Sequence, residues 1–525
     1  MRNFRLACTL VLGAGLLAAC EGGSSGVAVN TSSAQGTLLY NPPVRVGSVT
    51  AAAFTANLSA TASGQQLLAL LTQAHIPPVC GVDFHYIQYN TVGGAAGEAT
   101  TASGALMVPT GAPGLCSGRR PIVLYAHGTA FTRAYNFANP NDTTNEAASE
   151  SGLIAAVFAA QGYIVVAPNY AGYDSSPLPY HPFVNADALS KDMIYALSAA
   201  RQALGNIPAS GTLDSGVLVV SGYSEGGYVA MATHRALQAA GKTVTAAAPM
   251  SGPYALEALG DAIVLGQVNL GSTLFFPLIT ESYQRAYGKI YNATTDFYST
   301  TYATGIDSLM PGPLTTTELF TQGKLPQSAA FNSTTPMTGN ATLDAQLAVP
   351  ANPLFAAGFG SPYLVNNSIR VEYALDVVAS PDGALAASPP PSGAPLAGMP
   401  SYPLRQDLNL NDLRKGNFVP MAPTLLCGGG NDPTVFFLNT QIMLAFWQPL
   451  NLPAGLITPL DVDLTTATAQ DSPLPFVPLQ AGFTTTYGGL VTALGPSSAI
   501  QKYHTTVAPF CSVAARLFFK SVTGV

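Results

Sequence analysis

A serine hydroxyl is a poor nucleophile until it is held clear of the backbone and a base takes its proton. Gly222-Tyr223-Ser224-Glu225-Gly226 has the makings of such a site, with an apolar run at 217–220 before it and a helix-like run at 228–232 after it. A sharp strand-to-helix turn lifts the Ser224 hydroxyl above a sheet, and the flanking glycines permit both the turn and the close approach of helix to strand. The chemistry this turn serves is acyl transfer. The same pattern recurs at Gly22-Gly23-Ser24-Ser25-Gly26, where no strand precedes and no helix follows, so that copy reads as linker. The base for a serine is usually a histidine held by a carboxylate. The chain has six histidines: His75, His85, His127, His181, His234 and His504.

The elements that must position these groups are legible as alternation. Strand-like runs at 121–126, 163–167, 217–221 and 244–250 alternate with helical patterns at 150–161, 187–204 and 228–240. That order predicts a parallel sheet covered on both faces. Upstream, 84–89 and 105–108 read as short strands of a hairpin around Gly93-Gly94-Ala95-Ala96-Gly97, and residues from 21 to 60 read as irregular. The alternation stops near Pro253 and resumes at 422–427, followed by a helix at 435–446, a run at 456–462 and a last helix at 512–520. The segment 253–417 is rich in Tyr, Phe, Thr, Pro and Gly and is read as an insertion that caps the sheet, with a separate domain as the alternative. The core is then 61–252 and 418–525.

This arrangement resembles the α/β-hydrolase fold, in which the catalytic residues follow the order serine, acid, histidine. Only His234 and His504 follow Ser224. His234 lies about three turns into the helix after the serine and points away from it, so the resemblance implies His504 as base. It also implies an acid at the end of an intervening strand. Asp432 closes Gly428-Gly429-Gly430-Asn431-Asp432 directly after the run 424–427. It is equally well placed to cap a helix before Pro433, and both roles can hold at once. Asp461 and Asp463 are the alternatives. A developing oxyanion needs two preorganised donors. The backbone N–H of Glu225 is one; the loop His127-Gly128-Thr129 supplies the other, through Thr129 first and Gly128 second, with His127 bracing the loop. The Glu225 carboxylate is expected against a polar wall, in a salt bridge or in solvent. Together these stretches are similar to bacterial secreted lipases and esterases, in particular the secretory, lipase A-like branch with a large lid. The similarity spans about 120–252 and 420–520 and implies carboxylic ester hydrolysis through an acyl-enzyme, with 253–417 forming an apolar acyl or alcohol pocket.

Composition narrows the setting. The chain has 525 residues, 48% hydrophobic and only 9% charged, with a net charge of −7. No basic block exists, which argues against nucleic-acid binding. Arg2 and Arg5 precede an apolar run at 6–19, the right length for a signal sequence and short for a membrane span. Leu17-Ala18-Ala19-Cys20 resembles a bacterial lipoprotein box, which implies lipidation of Cys20, a signal over 1–19 and an anchor and flexible tether over 20–60. Glu21 after the cysteine favours the outer membrane by the sorting pattern of such lipoproteins. An ordinary secretory signal is the alternative.

Four cysteines then remain, and an exported protein with an even number should pair them. Cys427 lies five residues before Asp432 and Cys511 seven after His504, so an Asp432–His504 contact brings that pair together. Cys80 and Cys116 flank the expected hairpin. The expected bonds are Cys80–Cys116 and Cys427–Cys511. No metal-ligand spacing, phosphate loop or dinucleotide fingerprint is present, so no cofactor is expected. Two other functions are compatible with the fold: an exported peptidase of the prolyl-peptidase kind, and a non-catalytic surface lipoprotein. The low charge of 253–417 weighs against the first, the complete set of catalytic residues against the second.

Overall fold

The structure, a computed structural model, describes residues 28–29, 33–207 and 211–525. Cys20 and the signal region lie outside the described residues. Nine strands form one sheet: β1 Val44–Val49, β2 Gly81–Val92, β3 Ala99–Thr110, β4 Gly118–Ala126, β5 Ile164–Pro168, β6 Thr212–Tyr223, β7 Ala246–Met250, β8 Thr424–Gly428 and β9 Ile457–Asp461. Their spatial order is β9-β8-β7-β6-β4-β5-β3-β2-β1. From β9 to β5 every pairing is parallel; β3, β2 and β1 extend the sheet antiparallel. The central strands β4 and β5 and the ends of β6 and β7 are buried on both faces, as their continuous apolar runs require.

Helices cover both sides. Ala186–Leu204 and Glu225–Ala239 pack together across the sheet, while Ala148–Val157 packs with Tyr503–Thr523. Between β7 and β8 the chain leaves this sheet. That segment carries Leu256–Val264, Ser272–Tyr287, Asn367–Ala379 and Pro403–Asn411 among its helices. Buried ion pairs hold the segment together internally, Arg405 with Asp261 (2.8 Å) and Arg414 with Asp382 (2.7 Å), and it docks on the core where Tyr228 donates its hydroxyl to the Asn411 carbonyl (2.7 Å) and Tyr283 donates to that of Val184 (3.2 Å).

Both disulfides form as expected, with Cα–Cα separations of 5.4 Å for Cys80–Cys116 and 5.6 Å for Cys427–Cys511. Three local expectations are corrected, and one helix was not read from the sequence. The hairpin strands run the full 12 residues each, because β2 pairs with β3 along its whole length. The stretch 20–60 is not all tether: β1 pairs antiparallel with β2, and Ala51–Ser59 is a helix capped by the Thr50 side chain. Strand β1 lies at the edge of the sheet and is mostly exposed, Val44 and Val46 included, so burial does not mark it and the distant partner strand supplies the hydrogen bonds. The last helix begins at Tyr503, not 512, and runs through Pro509. That proline falls in the second turn, where only a few intrahelical bonds precede it. Finally, Val477–Leu494 is a helix that its threonines and glycines conceal. Its Phe483 ring packs edge-on against Tyr503 and Phe510, at 5.3 and 5.7 Å.

Candidate active site

Ser224 sits at the end of β6 with φ 60° and ψ −125°, a conformation that costs a non-glycine residue strain. The surroundings enforce it. A Cβ on Gly226 would lie 2.0 Å from the Ala126 carbonyl oxygen, and one on Gly222 would lie 2.2 Å from that of Gly226. Only glycines let helix Glu225–Ala239 start this close to β4 and β6, and that closeness makes the turn sharp. The amide of Glu225, first residue of that helix, is one of its unpaired N-terminal donors.

β8 delivers the carboxylate. Asp432 Oδ1 accepts from the amides of Thr434 (2.9 Å) and Val435 (3.2 Å), which fixes the side chain. Oδ2 lies 2.6 Å from His504 Nδ1. The cap and the histidine contact therefore use different oxygens of one carboxylate. With Nδ1 donating to Asp432, the lone pair of His504 falls on Nε2, which is buried and has no hydrogen-bond partner among the described residues. Residues 504 and 511 are two turns apart on one helix face, so Cys511 and His504 meet Cys427 and Asp432 together. Tyr223, beside the serine, donates its hydroxyl to the His504 carbonyl, and its ring lies 4.9 Å from the imidazole. The elbow and the histidine thus share one packed unit.

The other two acids go elsewhere. Asp461 accepts from the amides of Gly430 (2.8 Å) and Asp463 (2.9 Å), and burial pushes its carboxyl up to about 6. Asp463 takes the hydroxyl of Tyr503 (2.7 Å) and the side-chain amide of Asn431 (3.1 Å). Both brace the glycine-rich turn and neither touches His504.

Thr129 lines the same cavity as Ser224 and Glu225, and its amide makes no hydrogen bond among the described residues. Gly128 is a correction: its amide donates to the Glu150 carboxylate at 3.1 Å and is not free for an oxyanion. His127 is stacked between Tyr135 (4.3 Å) and Tyr170 (4.1 Å), and burial pulls its ring down to about 3. Its ring nitrogens face the carbonyls of Gly128 (2.6 Å) and Asn169 (3.2 Å), and it braces the loop. The cavity itself is walled by Leu256, Leu259, Ile263, Phe275, Phe276 and Ile279, all from the segment between β7 and β8.

The sheet order, the serine turn after β6 and the acid and histidine placed beyond it can now be set against known structures. The chain matches the ligand-bound rice cell wall degrading esterase LipA from Xanthomonas oryzae with a TM-score of 0.64 and 25% identity, over 92% of this chain and 98% of that one. Another structure of that esterase gives 0.61 and 26%, over 88% and 99%. The chain is a carboxylic ester hydrolase of the α/β-hydrolase superfamily. A protein of Legionella pneumophila assigned as a hydrolase shares the hydrolase fold at a TM-score of 0.58 and 19% identity, over 91% of this chain and 96% of that one. No family model and no curated protein matches the sequence of this hydrolase.

Three partners at the hydrolase site were not read from sequence. Of the placements expected for the Glu225 carboxylate it is the salt bridge that forms, 2.7 Å from His181 Nε2 and fully buried, and His181 is the partner the sequence did not name. His181 Nδ1 faces the Ala171 carbonyl at 3.1 Å and must donate to it, so a single proton lies between Nε2 and Glu225. Tyr223 and Glu150 are the others. No spacing rule points to them, since each acts across a distance in sequence. His234 packs edge-on to Phe418 at 5.5 Å and burial holds its ring near 4, consistent with a packing residue.

Proposed function

We propose that this hydrolase cleaves apolar carboxylic esters through an acyl-enzyme formed on Ser224. His504 Nε2 takes the serine proton as Oγ attacks the ester carbonyl. The amides of Glu225 and Thr129 receive the oxyanion, whose charge is worth most where water is excluded. The intermediate collapses, and His504 returns the proton to the departing alkoxide, which leaves as the alcohol. Water then attacks the acyl carbon with His504 again as base, and the acid is released with Ser224 regenerated. Asp432 holds the imidazole in the tautomer this needs and balances its charge.

The observation that carries this reading is the Asp432–His504 pair packed against the serine turn, at a cavity whose walls are apolar. Among the described residues Glu225 is the one charged residue lining that cavity, and it is already paired with His181. A substrate amine therefore finds no free carboxylate there, which favours an ester over an aminoacyl substrate. The cap segment 253–417 is proposed to shape the acyl or alcohol pocket. Two disulfides fit a protein outside the cytosol; attachment to the cell envelope through lipidated Cys20 is part of the proposal. The test is a fluorophosphonate probe with peptide mapping, beside a panel of esters and aminoacyl substrates. Label on Ser224, loss of turnover in Ser224→Ala and preference for apolar esters are expected. Turnover by Ser224→Ala near that of the unmodified enzyme would remove Ser224 from the mechanism.

A further inference from the structure

The loop that offers Thr129 to the oxyanion is gripped at both ends by carboxylates four residues apart. Glu150, in the first turn of Ala148–Val157, takes the Gly128 amide (3.1 Å) and the hydroxyls of Tyr125 (2.8 Å) and Tyr135 (3.4 Å). Glu146 takes the amides of Phe131 (3.1 Å) and Thr132 (2.8 Å) and the Thr132 hydroxyl (2.6 Å). The amides of Thr129 and Ala130, between these grips, make no hydrogen bond among the described residues.

The loop also touches the nucleophile. A Cβ on Gly128 would stand 3.6 Å from Ser224 Cβ, 3.4 Å from the Tyr223 carbonyl oxygen and 3.8 Å from Glu150 Oε2. Glu150, Gly128 and the serine turn are therefore in one contact chain. Displacing Gly128 displaces the neighbouring Thr129 amide relative to Ser224. Tyr173 adds a third hold, donating to the Ala130 carbonyl at 2.7 Å. Each hold takes a group other than the Thr129 amide.

We propose that Glu150 and Glu146 are positioning residues that set the oxyanion hole, drawing the amides on either side of Thr129 to themselves so that its own amide stays directed at the reacting carbonyl. This rests on the acyl-enzyme reading above. Preorganised donors matter for the transition state and little for the ground-state ester. The two carboxylates should therefore govern turnover and transition-state-analogue affinity, and leave substrate binding nearly alone.

Three variants test it: Glu150→Leu, which removes the acceptor while keeping bulk; Glu150→Gln, which keeps an acceptor for Gly128; and Glu146→Ala at the exposed end. Each is titrated to completion with fluorophosphonate, so that kcat is counted per competent site. A p-nitrophenyl ester gives kcat and KM, and an alkyl boronic acid mimics the tetrahedral adduct. Glu150→Leu should lower kcat by about 100-fold, in line with loss of an oxyanion donor, with KM within about threefold. Boronic acid affinity should fall in parallel. Glu150→Gln should recover at least about tenfold of that loss, and Glu146→Ala should lose about tenfold in kcat. A purely structural role would lower the titrated fraction or the melting temperature and leave kcat per site unchanged, which overturns the proposal. If Glu150→Leu does not fold, Glu146→Ala decides alone by the same criterion. Failure of the underlying reading looks different: the unmodified enzyme would not label at Ser224.

Discussion

Replacing Asp432 by Asn separates catalysis from folding, because the two oxygens of this carboxylate do different work. Oδ1 caps the turn through Thr434 and Val435. An asparagine oxygen can keep that cap, worth about 1 kcal/mol, so melting should move little. Oδ2 accepts from His504 Nδ1 at 2.6 Å. An amide nitrogen there can only donate, so His504 must present a lone pair at Nδ1 and carry its proton on Nε2. Nε2 then cannot take the proton of Ser224. The same change in a Ser-His-Asp enzyme costs about 10⁴ in kcat, or about 5.4 kcal/mol at about 1.36 kcal/mol per decade. The assay is steady-state hydrolysis of a p-nitrophenyl ester, normalised to active sites, with thermal melting alongside. Asp461→Asn and Asp463→Asn are the controls. They loosen the glycine-rich turn, so each should lower the melting temperature and cost less than about tenfold in kcat. If Asp432→Asn stays within tenfold of the unmodified enzyme, or either control costs more, the acid has been misassigned.

Removing the Cys427–Cys511 bond by double Ala substitution should cost about 3–5 kcal/mol in the chain-entropy model and depress kcat as well, because it ties the acid-bearing strand to the histidine-bearing helix. Removing Cys80–Cys116 should cost similar stability with kcat per site retained; denaturant melts and turnover measure both. Leu259→Trp, which fills the apolar cavity, should lower kcat/KM for octanoate esters by about tenfold while sparing acetate esters; equal losses on both would place the acyl chain elsewhere. Glu257 is buried among Asp261, Asp382 and Asp412 as well as Arg405 and Arg414, and burial first of all pushes its carboxyl up from 4.5 to about 8. The folded protein then holds a proton that the unfolded chain releases above its lower pKa, so stability should fall as pH rises through that window. Glu257→Gln should flatten the melting-temperature profile between pH 5 and pH 8, and an unchanged slope would assign the pH response to another group.

How much of this was in the sequence depends on how local each cause is. The serine turn was legible because its strand, its glycines and its helix are contiguous, and the steric limits at Gly222 and Gly226 act within a few residues or on the adjacent strand. The sheet's parallel half followed from apolar runs long enough to be buried on both faces. His504 and Asp432 could be chosen because histidines are few and the fold fixes an order. The cysteine pairing then followed from that contact and from the expected hairpin.

The rest depended on partners that are remote in the chain. The edge strand Val44–Val49 is short and mostly exposed, and its existence rests on pairing with Gly81–Val92. The last helix starts at Tyr503, nine residues before the expected 512, where Phe483 and Tyr487 pack on Tyr503. Gly128 stood as second choice after Thr129 for the oxyanion, and Glu150, 22 residues on, removes it by holding its amide. Glu225 found His181, 44 residues earlier, by burial of both. Sequence by itself pointed to the residues proposed to carry the chemistry and to the alternation of strands and helices that makes the sheet parallel. Tertiary structure decided which hydrogen-bonding groups remain free to perform it, because a donor's availability depends on every acceptor that folding brings within reach.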